Sequence, residues 1–149
     1  PILKEALGDN HPNYATSLVE LAALYRTRGL YVQVEPLLRQ ALAAYKAGVG
    51  DKDPDYLITL NNLATLYDTQ GVYAKAEPLY QEILAVWKAV LGVKHPYYAT
   101  TLNNLGILYK SQGLFQKAEP LLTEAMTLRK AVLGEKHPDY TNSLNNLGI

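Results

Sequence analysis

Apolar residues recur along the chain with the spacing of one helical face. Leu60, Leu63, Ala64 and Tyr67 occupy positions i, i+3, i+4 and i+7, which form a single buried stripe on an α-helix. We call the element that carries this stripe helix A. A second stripe with similar spacing begins at Tyr73 and predicts another helix of about 18 residues, which we call helix B.

The helix pair recurs at a fixed distance along the chain. Residues 60–71 return as residues 102–113, begin again at residue 144, and have a degenerate copy at residues 18–29, so the period is 42 residues. A fixed period of this size indicates stacked units in which each helix pair covers its neighbour. We therefore predict an all-α array of antiparallel helix pairs, with about three and a half repeats.

The repeat boundaries follow from this period, and the whole chain is interpreted as one array. Residues 1–8 are expected to end a preceding helix B, and residues 11–50, 53–92 and 95–134 are expected to form three repeats. Residues 137–149 are expected to form part of helix A of a fourth repeat.

Prolines and glycines mark the ends of the predicted helices. A proline is favoured at the first helical position, so the residue before it becomes the N-cap. Three of the four N-caps are histidines, which could also be metal ligands. Equivalent positions of stacked repeats lie roughly 10 Å apart, too far for shared coordination, so we predict capping and no metal site. The cap–proline pairs are His11-Pro12, Asp53-Pro54, His95-Pro96 and His137-Pro138.

A further proline lies inside each helix B, at Pro36, Pro78 and Pro120. Each should remove one backbone hydrogen bond and either kink or tighten the first turn. The alternative is a helix that begins only at the preceding glutamate, which would leave the aromatic and alanine positions in a loop. We prefer the helix that contains the proline.

Two rows of equivalent positions give expectations about packing. Ala22, Ala64, Gly106 and Gly148 share one position, where a small residue would let a neighbouring helix approach closely. Trp87 aligns with Tyr45 and with Arg129. Because this position accepts a charged residue, we expect it to lie at a solvent-exposed rim.

Composition excludes several classes of function. A formal net charge of zero argues against a nucleic-acid partner. The absence of cysteine excludes thiolate chemistry, and no apolar run approaches the length of a membrane span. No group of nucleophile, base and acid residues and no phosphate-binding loop is visible. We therefore expect a non-enzymatic protein without cofactors or membrane contact, and a cytoplasmic location because the chain shows no targeting segment.

The pattern Leu63-Ala64-x-x-Tyr67-x-x-x-Gly71-x-Tyr73-x-x-Ala76 resembles the tetratricopeptide repeat (TPR) consensus. The 42-residue period and the phrases Leu-Asn-Asn-Leu-Ala and Val-Leu-Gly-x-x-His-Pro are similar to the kinesin light chain class of TPR. The resemblance covers essentially the whole chain and implies a right-handed α-solenoid, the TPR superhelix. It also implies that the A helices line a concave surface that binds peptides.

The polar face of helix A supplies the candidate binding residues. An asparagine side chain offers donors and an acceptor that match a peptide unit, and peptide-binding TPRs place asparagine at the position of Asn62, Asn104 and Asn146. The alternative is that one asparagine of each pair bonds an adjacent helix and fixes the array. The candidates are Glu20, Arg26, Asn61, Asn62, Thr65, Asp68, Asn103, Asn104, Ile107, Lys110, Asn145 and Asn146.

These residues lead to two hypotheses about function. The first is a protein-interaction scaffold that binds an extended peptide or partner segment on the concave face. The known kinesin light chain grooves for acidic peptides are basic, whereas this face mixes Arg26 and Lys110 with Glu20 and Asp68. The second hypothesis is a structural solenoid or spacer within a larger signalling protein, which self-associates end to end through incomplete repeats.

Overall fold

The computed structural model describes Gly8 and residues 11–148, and this part of the chain contains α-helices and no strands. The expected end of a preceding helix B falls on residues 1–8, of which 1–7 lie outside the described residues. The helices are α1 (Pro12–Thr27), α2 (Tyr31–Gly48), α3 (Pro54–Thr69), α4 (Tyr73–Val90), α5 (Pro96–Ser111), α6 (Phe115–Leu133) and α7 (Pro138–Leu147). Odd-numbered helices are the predicted A helices, and even-numbered helices are the predicted B helices.

The A helices begin at the predicted prolines, and the histidines before them act as N-caps. His11 Nδ1 accepts a hydrogen bond from the backbone N–H of Asn13 at 3.1 Å. His95 and His137 cap α5 and α7 in the same way, and an Asp53 carboxylate oxygen accepts from the N–H two residues later. Each cap satisfies a backbone donor that has no partner within the helix. The capping prediction is confirmed.

The B helices contain their prolines, as predicted. Pro36, Pro78 and Pro120 lie inside α2, α4 and α6, each in the second turn. Each proline removes the hydrogen bond to the carbonyl four residues earlier, and the helix continues through it. After α6, Gly134 adopts a positive φ of 85° and ends the helix in a conformation that favours glycine.

The row of small residues marks a close approach between helices. A Cβ atom on Gly106 of α5 would lie 2.7 Å from Cγ and Cδ2 of Leu122 in α6, which is well inside van der Waals contact. Gly148 is the last described residue and adopts a φ of 78° at the end of α7.

The chain divides into two compact units, with the boundary between Leu66 and Tyr67 inside α3. In the first unit, Tyr14, Ala15 and Leu18 of α1 pack with Ala41 and Tyr45 of α2. The second unit has its own buried set from α4, α5 and α6. Its largest buried side chains are Trp87, Tyr80, Ile83 and Leu108.

The expectation of a solvent-exposed rim at Trp87, Tyr45 and Arg129 is wrong. Their exposed fractions are 2%, 3% and 4%. Arg129 is accommodated because its Nη1 donates to Ser143 Oγ at 2.7 Å and to the backbone oxygen of Asp139 at 3.0 Å. Burial lowers the pKa of its guanidinium. A charged residue at an aligned position therefore did not indicate solvent exposure. Acceptors of α7 satisfy Nη1 of Arg129, whereas its Nε is buried without a partner in the described part of the chain.

Candidate functional site

The predicted binding residues lie on four A helices and in both units. In the first unit, Glu20 and Arg26 of α1 are exposed, and Asn61, Asn62 and Thr65 of α3 are half-buried. The remaining predicted residues belong to the second unit. Asp68, Asn104, Ile107 and Asn146 are half-buried, Lys110 and Asn145 are exposed, and Asn103 is buried.

The first unit brings two predicted residues together at a small cavity. Arg26 and Asn62 line it together with Val19 and the apolar side chains of Val34 and Leu66. Its volume is about 30 Å³, which is about the room for one water molecule. This cavity is too small for a partner's side chain.

The second unit has a cavity at the same position of the repeat, beside the end of α7. Lys110 of α5 and Asn146 of α7 line it, and both were predicted as binding residues. Its volume is about 410 Å³, and Phe115, Leu122 and Met126 of α6 supply apolar surface. A cavity with apolar walls and a few polar groups is typical of a ligand site.

Sequence reasoning missed the side chains that α6 contributes to this cavity. The prediction placed the binding residues on helix A, whereas Leu122 and Met126 lie on a helix B. The leucine at position 122 is not a signal of the cavity, because Leu38 holds the same position in the first repeat and lines a cavity of only about 30 Å³.

The two asparagines of a pair have different roles in α5 and α7. Asn103 is buried, and its Oδ1 accepts a hydrogen bond from Asn146 Nδ2 at 2.9 Å. Asn146 Nδ2 also donates to Asn142 Oδ1 at 3.0 Å, and Lys110 Nζ donates to the backbone oxygen of Asn146 at 2.7 Å. The buried first asparagine of one repeat thus positions the second asparagine of the next repeat at the cavity.

Replacing Asn103 with alanine should lower the free energy of unfolding by about 1–3 kcal/mol, because the change removes a buried hydrogen-bonding side chain. Asn145→Ala is the matched control, since Asn145 is exposed, and it should change stability by no more than about 0.5 kcal/mol. Urea unfolding followed by circular dichroism measures both. Equal effects of the two substitutions would contradict the structural role of Asn103.

Two other polar side chains of this face have distinct environments. Thr65 Oγ1 donates to the backbone oxygen of Asn61 at 2.9 Å, so its hydroxyl hydrogen is directed to its own helix. Burial raises the pKa of the half-buried Asp68 carboxyl. In the part of the chain that the structure describes, neither a hydrogen bond nor an ion pair involves that carboxylate.

The described residues offer little that suggests other chemistry. No group of three or more histidine, aspartate or glutamate side chains among them could hold a metal ion. In the same part of the chain, no helix combines the length and the apolar character that crossing a bilayer requires.

Comparisons with solved structures extend over nearly the whole chain. BtubC (BKLC) from P. vanneervenii is 25% identical with a TM-score of 0.83 over 93% of this chain. The chain spans only 56% of the length of BtubC. The nearly identical TPR-like repeats of a kinesin light chain-like protein from Podosopora anserina are 26% identical, with a TM-score of 0.80 over 98% of this chain and 69% of theirs.

A more distant structure shares the fold alone. The N-terminal domain of stress-induced protein-1 from C. elegans is 12% identical, with a TM-score of 0.63 over 93% of this chain and 97% of that domain. No curated protein sequence matches the chain. The family model for the tetratricopeptide repeat matches residues 1–47 and 55–131. The chain therefore belongs to the tetratricopeptide repeat family, whose members generally bind protein partners and are typically not enzymes.

Proposed function

We propose that the chain is a protein-interaction scaffold that binds an extended peptide on the face formed by the A helices. The observation that carries this proposal is the cavity of about 410 Å³ in the second unit, where Lys110 and Asn146 meet apolar side chains of α6. Two residues chosen from the polar pattern of helix A thus line one cavity. The other proposed contacts are the remaining predicted residues of this face.

The chemistry of the cavity suits a peptide. An extended chain presents a backbone N–H at every residue except proline. Asn146 Oδ1 can accept from such a donor, while Asn146 Nδ2 already donates to Asn103 and Asn142. The apolar surface of Leu122 and Met126 would receive one apolar side chain of the ligand. Because Asn103 and Asn142 hold Asn146, its amide loses little conformational freedom on binding.

Peptide-library display against the 149-residue chain tests the proposal. We expect enrichment of peptides with a bulky apolar residue, and fluorescence anisotropy should show at least a tenfold weaker affinity for Met126→Gln. Val132→Gln is the matched control, because Val132 is an exposed apolar residue of the same helix, outside the cavity. Failure to enrich any peptide, or equal weakening by both substitutions, would refute the proposal.

A further inference from the structure

We propose that the segment in which α4 ends and α5 begins is a second interaction surface, which binds a partner peptide carrying an acidic residue beside an apolar one. We call residues 88–97 the α4–α5 junction and residues 130–139 the α6–α7 junction. Both belong to the second unit. Neither contributes a residue to the cavity that Lys110 and Met126 line, so the inference goes beyond the proposed function and does not depend on it.

The two junctions have the same residue at eight of ten positions. The first difference is Val93, which stands where the α6–α7 junction has Glu135. The second is Tyr97, which stands where that junction has Asp139. The α4–α5 junction therefore contains two lysines and no acid, whereas the α6–α7 junction contains two lysines and two acids. Both differences exchange negative charge for apolar or aromatic surface.

The exchange at the first of these positions leaves a lysine beside an apolar residue. In the α6–α7 junction, Lys130 Nζ lies 2.8 Å from Glu135 Oε1. Lys88 and Val93 occupy the equivalent positions of the α4–α5 junction, and a valine cannot neutralise the lysine. Lys94, directly after Val93, is exposed and adds a second positive charge. The charge gives the sign that a partner must complement, whereas the exposed apolar surface is the reason to expect a partner.

Four large apolar side chains of the α4–α5 junction are exposed. Each is between 37% and 48% exposed, and the four are Val90, Leu91, Val93 and Tyr97. Val90 and Leu91 follow the buried Trp87 by three and four residues, so they lie beside it at the end of α4. The Tyr97 ring centre lies 5.1 Å from that of Trp87, so all three adjoin the same buried ring. Scattered apolar residues are ordinary on a surface, but a contiguous group of this kind marks an interaction site.

Tyr97 is fixed in its position before any partner binds. Its ring packs against Trp87, and its ring centre lies 4.9 Å from that of His95, which also accepts a hydrogen bond from the Tyr97 backbone N–H. Burial of the aromatic residue beneath it does not require a tyrosine. Tyr45, the equivalent of Trp87, is buried although Asp55 stands at the position of Tyr97. A fixed tyrosine loses little conformational freedom on binding, and tyrosine is enriched among the residues that dominate interface energies.

These properties together favour an acidic and apolar partner segment. An apolar ligand residue would cover Val93 and Tyr97 and remove their surface from water. A carboxylate beside that residue would pair with Lys88 or Lys94, and hydrogen bonds between charged groups are stronger than those between neutral groups. A lysine or arginine of the ligand at the same place would be repelled. The two acids of the α6–α7 junction would oppose such a ligand there.

Peptide-library display against the Met126→Gln chain tests the inference, because that substitution weakens the proposed binding at the cavity. We expect enriched peptides with aspartate or glutamate beside a large apolar residue. Val93→Glu combined with Tyr97→Asp gives the α4–α5 junction the sequence of the α6–α7 junction, so circular dichroism should show a folded chain. Fluorescence anisotropy should show that this double variant binds the enriched peptides more weakly, by about tenfold or more.

A second pair of substitutions tests the charge without changing the apolar surface. Lys88→Gln combined with Lys94→Gln should weaken binding of the enriched peptides by about threefold or more and reduce the dependence of this binding on salt concentration. Lys130→Gln combined with Lys136→Gln is the matched control at the α6–α7 junction, and it should change the affinity by less than about twofold.

Three results with enriched peptides would overturn the inference: peptides without an acidic residue, binding that the substitutions at Val93 and Tyr97 leave unchanged, or equal losses for the two lysine pairs. Failure to enrich any peptide would also overturn it, and binding to phosphatidylserine vesicles in that case would assign the surface to lipid. None of these results bears on the cavity, which display against the unmodified chain tests through Met126.

Discussion

Replacing Trp87 with alanine should lower the free energy of unfolding by about 3–5 kcal/mol, the cost of removing a large aromatic side chain from a core. Trp87 is 2% exposed, and its ring centre lies 5.1 Å from that of Tyr97 at the start of α5. The substitution therefore removes both buried area and a contact between aromatic rings. Urea unfolding followed by circular dichroism measures the loss without depending on tryptophan fluorescence.

Trp87→Tyr is the matched control for this prediction. Tyrosine occupies the equivalent position of the first repeat as Tyr45, which is also buried. It retains most of the apolar area, so the loss should be clearly smaller than that of Trp87→Ala. A loss below about 1 kcal/mol for Trp87→Ala would instead indicate the exposed rim that the sequence suggested.

Replacing Leu105 with alanine should cost about 2–5 kcal/mol of unfolding free energy, the range for deleting a buried leucine side chain. Leu105 is buried in α5, directly before the glycine at which α6 approaches. Because the helices are already close there, little collapse can fill the space that is left. The same urea titration gives the value.

The control for Leu105→Ala is Ser111→Ala at the exposed end of the same helix. It should change stability by no more than about 0.5 kcal/mol. If Leu105→Ala were equally mild, the apolar stripe of helix A would not face the core. Large losses for both substitutions would show that any change in α5 disrupts the repeat.

The fold could be predicted from sequence because its signals are local and repeated. Each proline after an N-cap residue is specified within a few residues, and so is each apolar stripe like the one that contains Leu63. The 42-residue period gives several copies of every such signal. The prediction of an exposed rim is wrong at Arg129, because a charged residue does not by itself indicate exposure. The acceptors for its Nη1 belong to residues 10 and 14 positions later, in another helix.

The candidate site could be predicted only in part. Helical periodicity identified the polar face of helix A, but it could not distinguish the members of an asparagine pair, because adjacent residues differ by only about 100° around a helix. Asn103 is buried against Asn146 because α7 lies beside α5. The sequence also did not predict that Met126 lines the cavity, because this depends on where α6 contacts the cavity.

The sequence by itself determined the helix pairs, their caps and their period, because these depend on backbone geometry and apolar spacing within one repeat. The tertiary structure alone decided which polar groups have partners. Asn103 accepts a hydrogen bond from Asn146, 43 residues later, whereas the Asp68 carboxylate has no hydrogen-bond donor within the described part of the chain. The physical reason is that burial and hydrogen bonding depend on the distances between helices, which the repeat pattern does not encode.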